Sequence, residues 1–122
     1  MAVLIFAVII LLLMPLTMII CGAWFIKSPP EMDSGIGYRT SRSMSSPAAW
    51  IAAHRICGKY WLIFGIITLI GTLLGGGYAI LSLADTDEAI YNVILIAEGV
   101  QLFFLLLAIP ITESRLKKIF RS

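Results

Sequence analysis

Residues 2–26, AVLIFAVIILLLMPLTMIICGAWFI, contain no charged side chain and decide the fold class. A helix of this length extends about 37 Å, and the hydrocarbon core of a bilayer is about 30 Å thick. Residues 60–84 are also uncharged, and residues 89–111 carry only Glu98. Backbone groups inside a bilayer find no water, so such segments form helices unless they alternate as barrel strands, and no alternation is visible. The sequence predicts an all-α integral membrane protein with three transmembrane helices.

The composition excludes a soluble globular domain, because 60% of the 122 residues are hydrophobic and only 13% are charged. The mean hydropathy is +0.99. A net charge of +2 is too small for a nucleic-acid-binding surface, so no nucleic-acid partner is expected. The first apolar segment has no basic residues before it and no small-x-small site after it, which favours a retained helix over a signal peptide. Residues 1–122 are therefore expected to form a single membrane domain.

The basic residues fall in two regions of the chain. Residues 27–59, hereafter the motif segment, and the tail 112–122 together hold all nine Lys and Arg residues. The short turn 85–88 holds acidic residues and no basic one. Because basic residues concentrate on the cytosolic side of a membrane, we predict that the N-terminus lies outside and the C-terminus in the cytosol. The motif segment and the basic tail are then both cytosolic.

Local signals mark where the chain leaves and re-enters the membrane. Pro29 and Pro30 end the first helix, since neither can donate a backbone hydrogen bond. Ser46 can cap a new helix whose first residue is Pro47, a position that needs no N–H. The second helix is therefore predicted to run from about residue 47 to residue 83. Its first turns extend into the cytosolic interface before the span begins near residue 60.

The motif segment contains G-Y-R-T, then S-M, then a tryptophan ten residues after the threonine, and then A-H-R-x-x-G. The motif residues are Gly37, Tyr38, Arg39, Thr40, Ser43, Trp50, His54, Arg55 and Gly58. In this order and spacing the run resembles the motif of the SdpI family of bacterial membrane proteins, named for an immunity protein against a secreted, membrane-active killing peptide. The three-span layout around it is similar to the family's minimal domain.

The resemblance implies a function. It implies a multi-pass protein of the bacterial inner membrane that protects against a toxic peptide or similar envelope stress by binding rather than by catalysis. The expected partners are membrane lipid and a toxic peptide, and no cofactor is implied. Independently of the resemblance, the sequence contains no nucleophile with a base, no paired carboxylates and no phosphate-binding loop, so enzymatic activity is not expected.

Three motif side chains admit more than one role. Arg39 can clamp a phosphate or carboxylate through its guanidinium fork, or it can tie the loop to the loop's own carbonyls. Trp50 can be a ligand platform, although an interfacial anchor is favoured. For His54 we expect a structural hydrogen bond to the G-Y-R-T turn. A metal site is not expected, because neither a second histidine nor a CxxC pair accompanies it.

One polar cluster is predicted inside the spans. Glu98 is the single acidic residue there, and Gln101 lies one turn further along the same helix face. Thr72 reaches a similar depth on the antiparallel second span, so the three side chains are expected to share hydrogen bonds. The cluster is either polar glue between helices or a proton-linked or cation-binding site. The latter defines a second hypothesis, a small proton-coupled exporter working around Glu98.

Small residues recur every four positions on the second span, at Gly71, Gly75 and Ala79. Such a stripe lets another helix approach closely, and packing within the chain is favoured over a homodimer or another membrane partner. A third hypothesis is accordingly a structural subunit that docks to a larger membrane complex through this stripe. In the tail, Leu116, Ile119 and Phe120 have the spacing of a short helix lying on the inner leaflet, although a basic stop after the span is favoured.

Overall fold

The computed structural model describes residues 1–120, which form three long helices joined by one long and one short connection. The elements are α1 (Ala2–Lys27), α2 (Pro47–Gly71), two π-helical stretches that continue α2 (Thr72–Gly76 and Ala79–Leu83), and α3 (Asp87–Phe120). Three helices are long and apolar enough to cross a membrane. No strand occurs within the described range. The predicted all-helical, three-span fold class is confirmed.

The second helix begins where the sequence places it. The Ser46 side chain accepts a hydrogen bond from the backbone N–H of Ala49 at 3.0 Å, and Pro47 occupies the first turn. The predicted helix to Leu83 is also confirmed, but its last turns are π-helical. The backbone N–H of Ala84 donates to the Ala79 carbonyl, five residues back, at 2.9 Å. Such widened turns are rare and are often found at functional sites.

Helices α1 and α2 touch backbone to backbone. A Cβ atom placed on Gly22 would lie 2.6 Å from the Gly58 carbonyl oxygen, and one placed on Gly58 would lie 2.6 Å from the Gly22 carbonyl oxygen. A Cβ atom on Gly65 would lie 2.8 Å from Cγ1 of Ile19. Any larger residue at these positions would push the helices apart. This contact explains the motif residue Gly58, and Gly22 and Gly65 are partners that the sequence analysis did not single out.

A polar side chain joins all three helices in the middle of the bundle. The Gln101 Nε2 group of α3 donates to the Leu11 carbonyl of α1 and to the Thr72 hydroxyl after α2, both at 2.9 Å. The predicted hydrogen bond between Gln101 and Thr72 is therefore confirmed. The prediction is wrong for Glu98, whose buried Oε1 atom has no hydrogen-bond partner within residues 1–120. The Oε1 atom of Glu98 therefore takes no part in the hydrogen bonds that join the three helices.

The last helix continues without a break into the predicted tail. Leu116 is 1% exposed and belongs to a cluster with Tyr38, Ala53 and Cys57. The interpretation of this region as a helix lying on the leaflet is wrong for Leu116, because its side chain packs inside the protein. Ile119 is exposed. The end of the predicted tail, residues 121–122, lies outside the described residues.

Candidate functional site

The loop between α1 and α2 lies back against α2 because of glycine. After a short 3₁₀ helix at Met32–Ser34, Gly35 and Gly37 adopt φ angles of 80° and 119°. A Cβ atom on Gly37 would lie 2.5 Å from Nε2 of His54 and 3.2 Å from Cζ2 of Trp50. Residues with a side chain rarely adopt such φ values. At Gly37 both the backbone conformation and the space require glycine.

His54 is fully buried and joins the loop to α2. The backbone N–H of Tyr38 donates to its Nε2 atom at 2.9 Å, and its Nδ1 atom lies 2.8 Å from the Trp50 carbonyl oxygen. Since Nε2 accepts from an N–H, Nδ1 carries the proton and donates to Trp50. The predicted hydrogen bond from His54 to the G-Y-R-T turn is confirmed.

Trp50 lies inside the protein rather than at its surface. The residue is 4% exposed, its Nε1–H group donates to the Pro30 carbonyl at 2.6 Å, and its ring centroid is 4.2 Å from that of His54. Both sequence-based interpretations of Trp50 are therefore wrong. A buried ring is neither an exposed ligand platform nor an interfacial anchor, and Trp50 instead holds the loop against α2.

Arg39 bonds within its own loop. Its Nη1 atom donates to the Met32 carbonyl at 2.7 Å, and its Cζ atom lies 5.6 Å from the centroid of the Trp50 ring. Arginine over an indole face is a favourable cation–π arrangement. Of the two roles left open by the sequence, this geometry favours the loop tie over the anion clamp.

Thr40 and Ser43 close the turn after Arg39. The Thr40 N–H donates to the Ser43 hydroxyl at 2.8 Å, and the Ser43 N–H donates to the Thr40 hydroxyl at 3.1 Å. The Ser43 hydroxyl, which is fully buried, donates to the Tyr38 carbonyl at 2.8 Å. These bonds satisfy backbone groups that the irregular loop leaves without partners.

Tyr38 connects the loop to α3. Its hydroxyl donates to Oε1 of Glu113 at 3.1 Å, and Nε of Arg42 lies 3.6 Å from Oε2 of the same carboxylate. Burial, and then the Glu113 carboxylate, raise the pKa of the Tyr38 hydroxyl, so the group remains a protonated donor. Glu113 was not among the predicted site residues. The sequence does give one indication of its importance, because Glu113 is the single acidic residue in an otherwise basic tail.

We call this assembly the motif lock. Its members are Gly37, Tyr38, Arg39, Thr40, Arg42, Ser43, Trp50, His54 and Glu113. The structure thus brings together all the motif residues except two: Gly58 lies in the α1–α2 contact, and Arg55 is exposed on α2. The motif lock fastens the loop to α2 and α3 at one end of the bundle.

A second candidate region lies between the π-helical stretches and α3. A groove of about 400 Å³, hereafter the lateral groove, is lined by Gly71, Gly75, Ala79 and Gln101 and by apolar residues of α3. A Cβ atom on Gly71 or Gly75 would meet nothing within 4 Å. The prediction that these glycines pack against another helix of the same chain is therefore wrong for Gly71 and Gly75. The groove is open at the surface, where Ile96 is 70% exposed.

These features define the class: an all-helical membrane protein whose helix ends are fastened by a loop motif. The sequence model described as the SdpI/YfhL protein family matches residues 31–112, which include every motif residue. Over 102 residues the chain is 36% identical to the uncharacterized protein YfhL of Bacillus subtilis (strain 168), covering 82% of this chain and 79% of that protein. No solved structure matches the chain. The chain belongs to the SdpI/YfhL family, and the resemblance found in the motif segment is confirmed.

Proposed function

We propose that this chain is an SdpI-like protection protein of the bacterial inner membrane. It acts against a toxic, membrane-active peptide or similar envelope stress by binding rather than by catalysis. It spans the membrane three times, with the N-terminus outside and the motif segment in the cytosol. Family membership and the distribution of basic residues support this proposal.

The motif lock stabilises the fold of this protein and is not its binding surface. His54 and Trp50 are buried, and their ring nitrogens are all engaged within the loop and α2. The Arg39 guanidinium also donates to a loop carbonyl. A ligand at the buried rings of Trp50 and His54 would have to displace their bonds, and each buried group left unsatisfied would cost about 1–3 kcal/mol. Binding is therefore expected elsewhere.

The observation that carries the proposal is the lateral groove. Its floor contains Gly71 and Gly75, whose missing side chains allow an apolar segment to lie close to the backbone. The adjoining turns are π-helical. Gln101 also lines the groove, and its buried Oε1 atom has no hydrogen-bond partner within residues 1–120. An apolar peptide segment in the groove would gain close packing, and a small shift of Gln101 would provide an acceptor.

The test is survival of a sensitive bacterium that expresses the chain and is challenged with membrane-active peptides. Gly75→Leu fills the groove, and Gly99→Leu is the matched control because a Cβ atom on Gly99 also meets nothing within 4 Å. We expect Gly75→Leu to lose protection at unchanged membrane abundance and Gly99→Leu to keep it. Equal protection by both variants would remove the groove from the mechanism, and no protection by wild type would overturn the immunity proposal.

A second candidate function rests on Glu98. A carboxylate within an apolar helix is costly unless it is paired or protonated, and its Oε1 atom is buried without a hydrogen-bond partner within residues 1–120. Such a group suits a small proton-coupled exporter. If Glu98→Gln loses protection while Gly75→Leu keeps it, transport coupled to Glu98 becomes the better account. Retained, pH-independent protection by Glu98→Gln rejects the exporter.

A further inference from the structure

A small cavity between α2 and α3 is lined mainly by cations. Its volume is about 230 Å³, and its lining residues are Arg55, Ile56, Lys59, Tyr60 and Arg115; we call it the basic cavity. Arg55 and Lys59 lie one helical turn apart on α2, and Arg115 reaches it from α3. Nη2 of Arg115 donates to the Tyr60 hydroxyl at 3.2 Å, and Nζ of Lys59 is 5.9 Å from the centroid of the Tyr60 ring. Three positive charges thus meet at one site.

These charges have no counter-ion in the described part of the chain. Within residues 1–120 the ion pair is that of Arg42 with Glu113, and no carboxylate oxygen lies within 4 Å of the three cations of the basic cavity. Like charges one turn apart destabilise a helix. An anion from outside the chain would remove this repulsion.

A second cavity adjoins the first through Arg115. It has a volume of about 640 Å³ and is lined by Leu107, Pro110, Ile111, Ser114, Arg115 and Lys118. Along α3 the lining changes from apolar at 107–111 to polar and basic at 114–118. The change coincides with the predicted end of the third span at residue 111. A molecule seated there meets apolar side chains at one end and cations at the other.

We propose that the basic cavity binds the phosphate of an anionic phospholipid, whose acyl chain lies along Leu107 and Ile111. Arginine donates pairs of hydrogen bonds to phosphate, and lysine adds a point charge. Basic pockets between membrane-spanning helices bind anionic headgroups in this way. This proposal gives Arg55, a motif residue outside the motif lock, a role in binding the headgroup. This site is independent of the proposed protection function.

Free phosphate has the same charge chemistry as the lipid headgroup, but it lacks the acyl chain. The second cavity offers apolar surface at 107–111 that an acyl chain would cover and inorganic phosphate would not. The lipid is therefore the occupant proposed, and the two sources give different results in one experiment.

The experiment is native mass spectrometry of the purified full chain with phosphatidylglycerol, phosphatidylcholine or inorganic phosphate. Wild type is expected to retain phosphatidylglycerol about tenfold more than phosphatidylcholine, because phosphatidylglycerol carries a net negative charge and phosphatidylcholine is zwitterionic. The double variant R55Q/R115Q is expected to lose that preference. The control K27Q/K117Q, which removes the same charge from exposed positions outside the cavity, is expected to keep it.

A further pair of readouts separates binding from folding. R55K/R115K keeps the charge and is expected to retain most of the bound phosphatidylglycerol, and circular dichroism checks that each variant keeps its helix content. Equal losses in R55Q/R115Q and K27Q/K117Q would overturn the site, since only total charge would then matter. Displacement of the lipid by millimolar inorganic phosphate would overturn the lipid as its occupant.

Discussion

The two ends of the second helix use glycine in opposite ways. Near its start, Gly58 lies against Gly22 of α1, and Gly37 of the loop lies against His54, each at distances that exclude a Cβ atom. Near its end, a Cβ atom on Gly71 or Gly75 would meet nothing within 4 Å. The same residue type therefore fixes one end of the helix and leaves a free groove at the other. The fixed end holds α1 and the loop against α2, and the free end is the region at which we propose binding.

The largest effect is expected at Gly37. Gly37→Ala combines a φ angle of 119° with a Cβ atom 2.5 Å from Nε2 of His54. We expect the free energy of unfolding to fall by about 3 kcal/mol, the sum of backbone strain and overpacking. Thermal unfolding in detergent, followed by tryptophan fluorescence, measures it.

The matched control is Gly35→Ala, which has a φ angle of 80° but open space around the Cβ position. It is expected to lower the free energy of unfolding by only about 1–2 kcal/mol, from backbone strain alone. If the two variants unfold at the same temperature, the contact of Gly37 with His54 does not stabilise the loop.

Two glycine-to-alanine substitutions along α2 are expected to have smaller effects, and these have opposite signs. Gly58→Ala should lower the free energy of unfolding by about 2 kcal/mol, because its Cβ atom would meet the Gly22 carbonyl oxygen at 2.6 Å. Gly71→Ala should raise it by about 0.5–1 kcal/mol, since alanine favours a helix and nothing opposes its methyl group. The same unfolding measurement applies, and a loss at Gly71 as large as that at Gly58 would contradict the difference between the two ends.

The smallest loss of stability is expected at Tyr38. Tyr38→Phe removes the hydrogen bond to Glu113 and should lower the free energy of unfolding by about 1 kcal/mol at neutral pH. Because the folded protein raises the pKa of Tyr38, wild type should lose stability as the pH rises above about 10, the ordinary tyrosine value. Tyr38→Phe should lack that part of the alkaline loss. Identical alkaline profiles of the two proteins would show that Tyr38 is not held protonated by the fold.

The sequence predicted what local chemistry determines. Uncharged length defined the three helices, and Ser46 and Pro47 marked the start of α2. The lack of a second histidine or a CxxC pair beside His54 favoured a structural hydrogen bond to the G-Y-R-T turn. Antiparallel helix depth was enough to pair Gln101 with Thr72. These results depend on neighbours in sequence or on position along a helix.

Features set by helix rotation and long-range packing could not be predicted in the same way. Nothing local distinguishes Gly58, which contacts another backbone, from Gly75, which contacts none. The burial of Trp50 depends on how the loop folds back over α2. The role of Glu113 depends on α3 continuing as a helix beyond its predicted span, so that a residue far along the chain meets Tyr38.

We propose that the motif segment stabilises the fold and that the lateral groove binds the ligand. The most direct test of this proposal is the protection that Arg39→Ala confers per molecule of protein in the membrane. Survival under a membrane-active peptide is measured and divided by the abundance of the variant in the membrane. Loss of the bond from Arg39 to the Met32 carbonyl is expected to reduce abundance and melting temperature, with protection per molecule unchanged. Loss of protection at wild-type abundance and melting temperature would contradict the account and place binding in the motif segment.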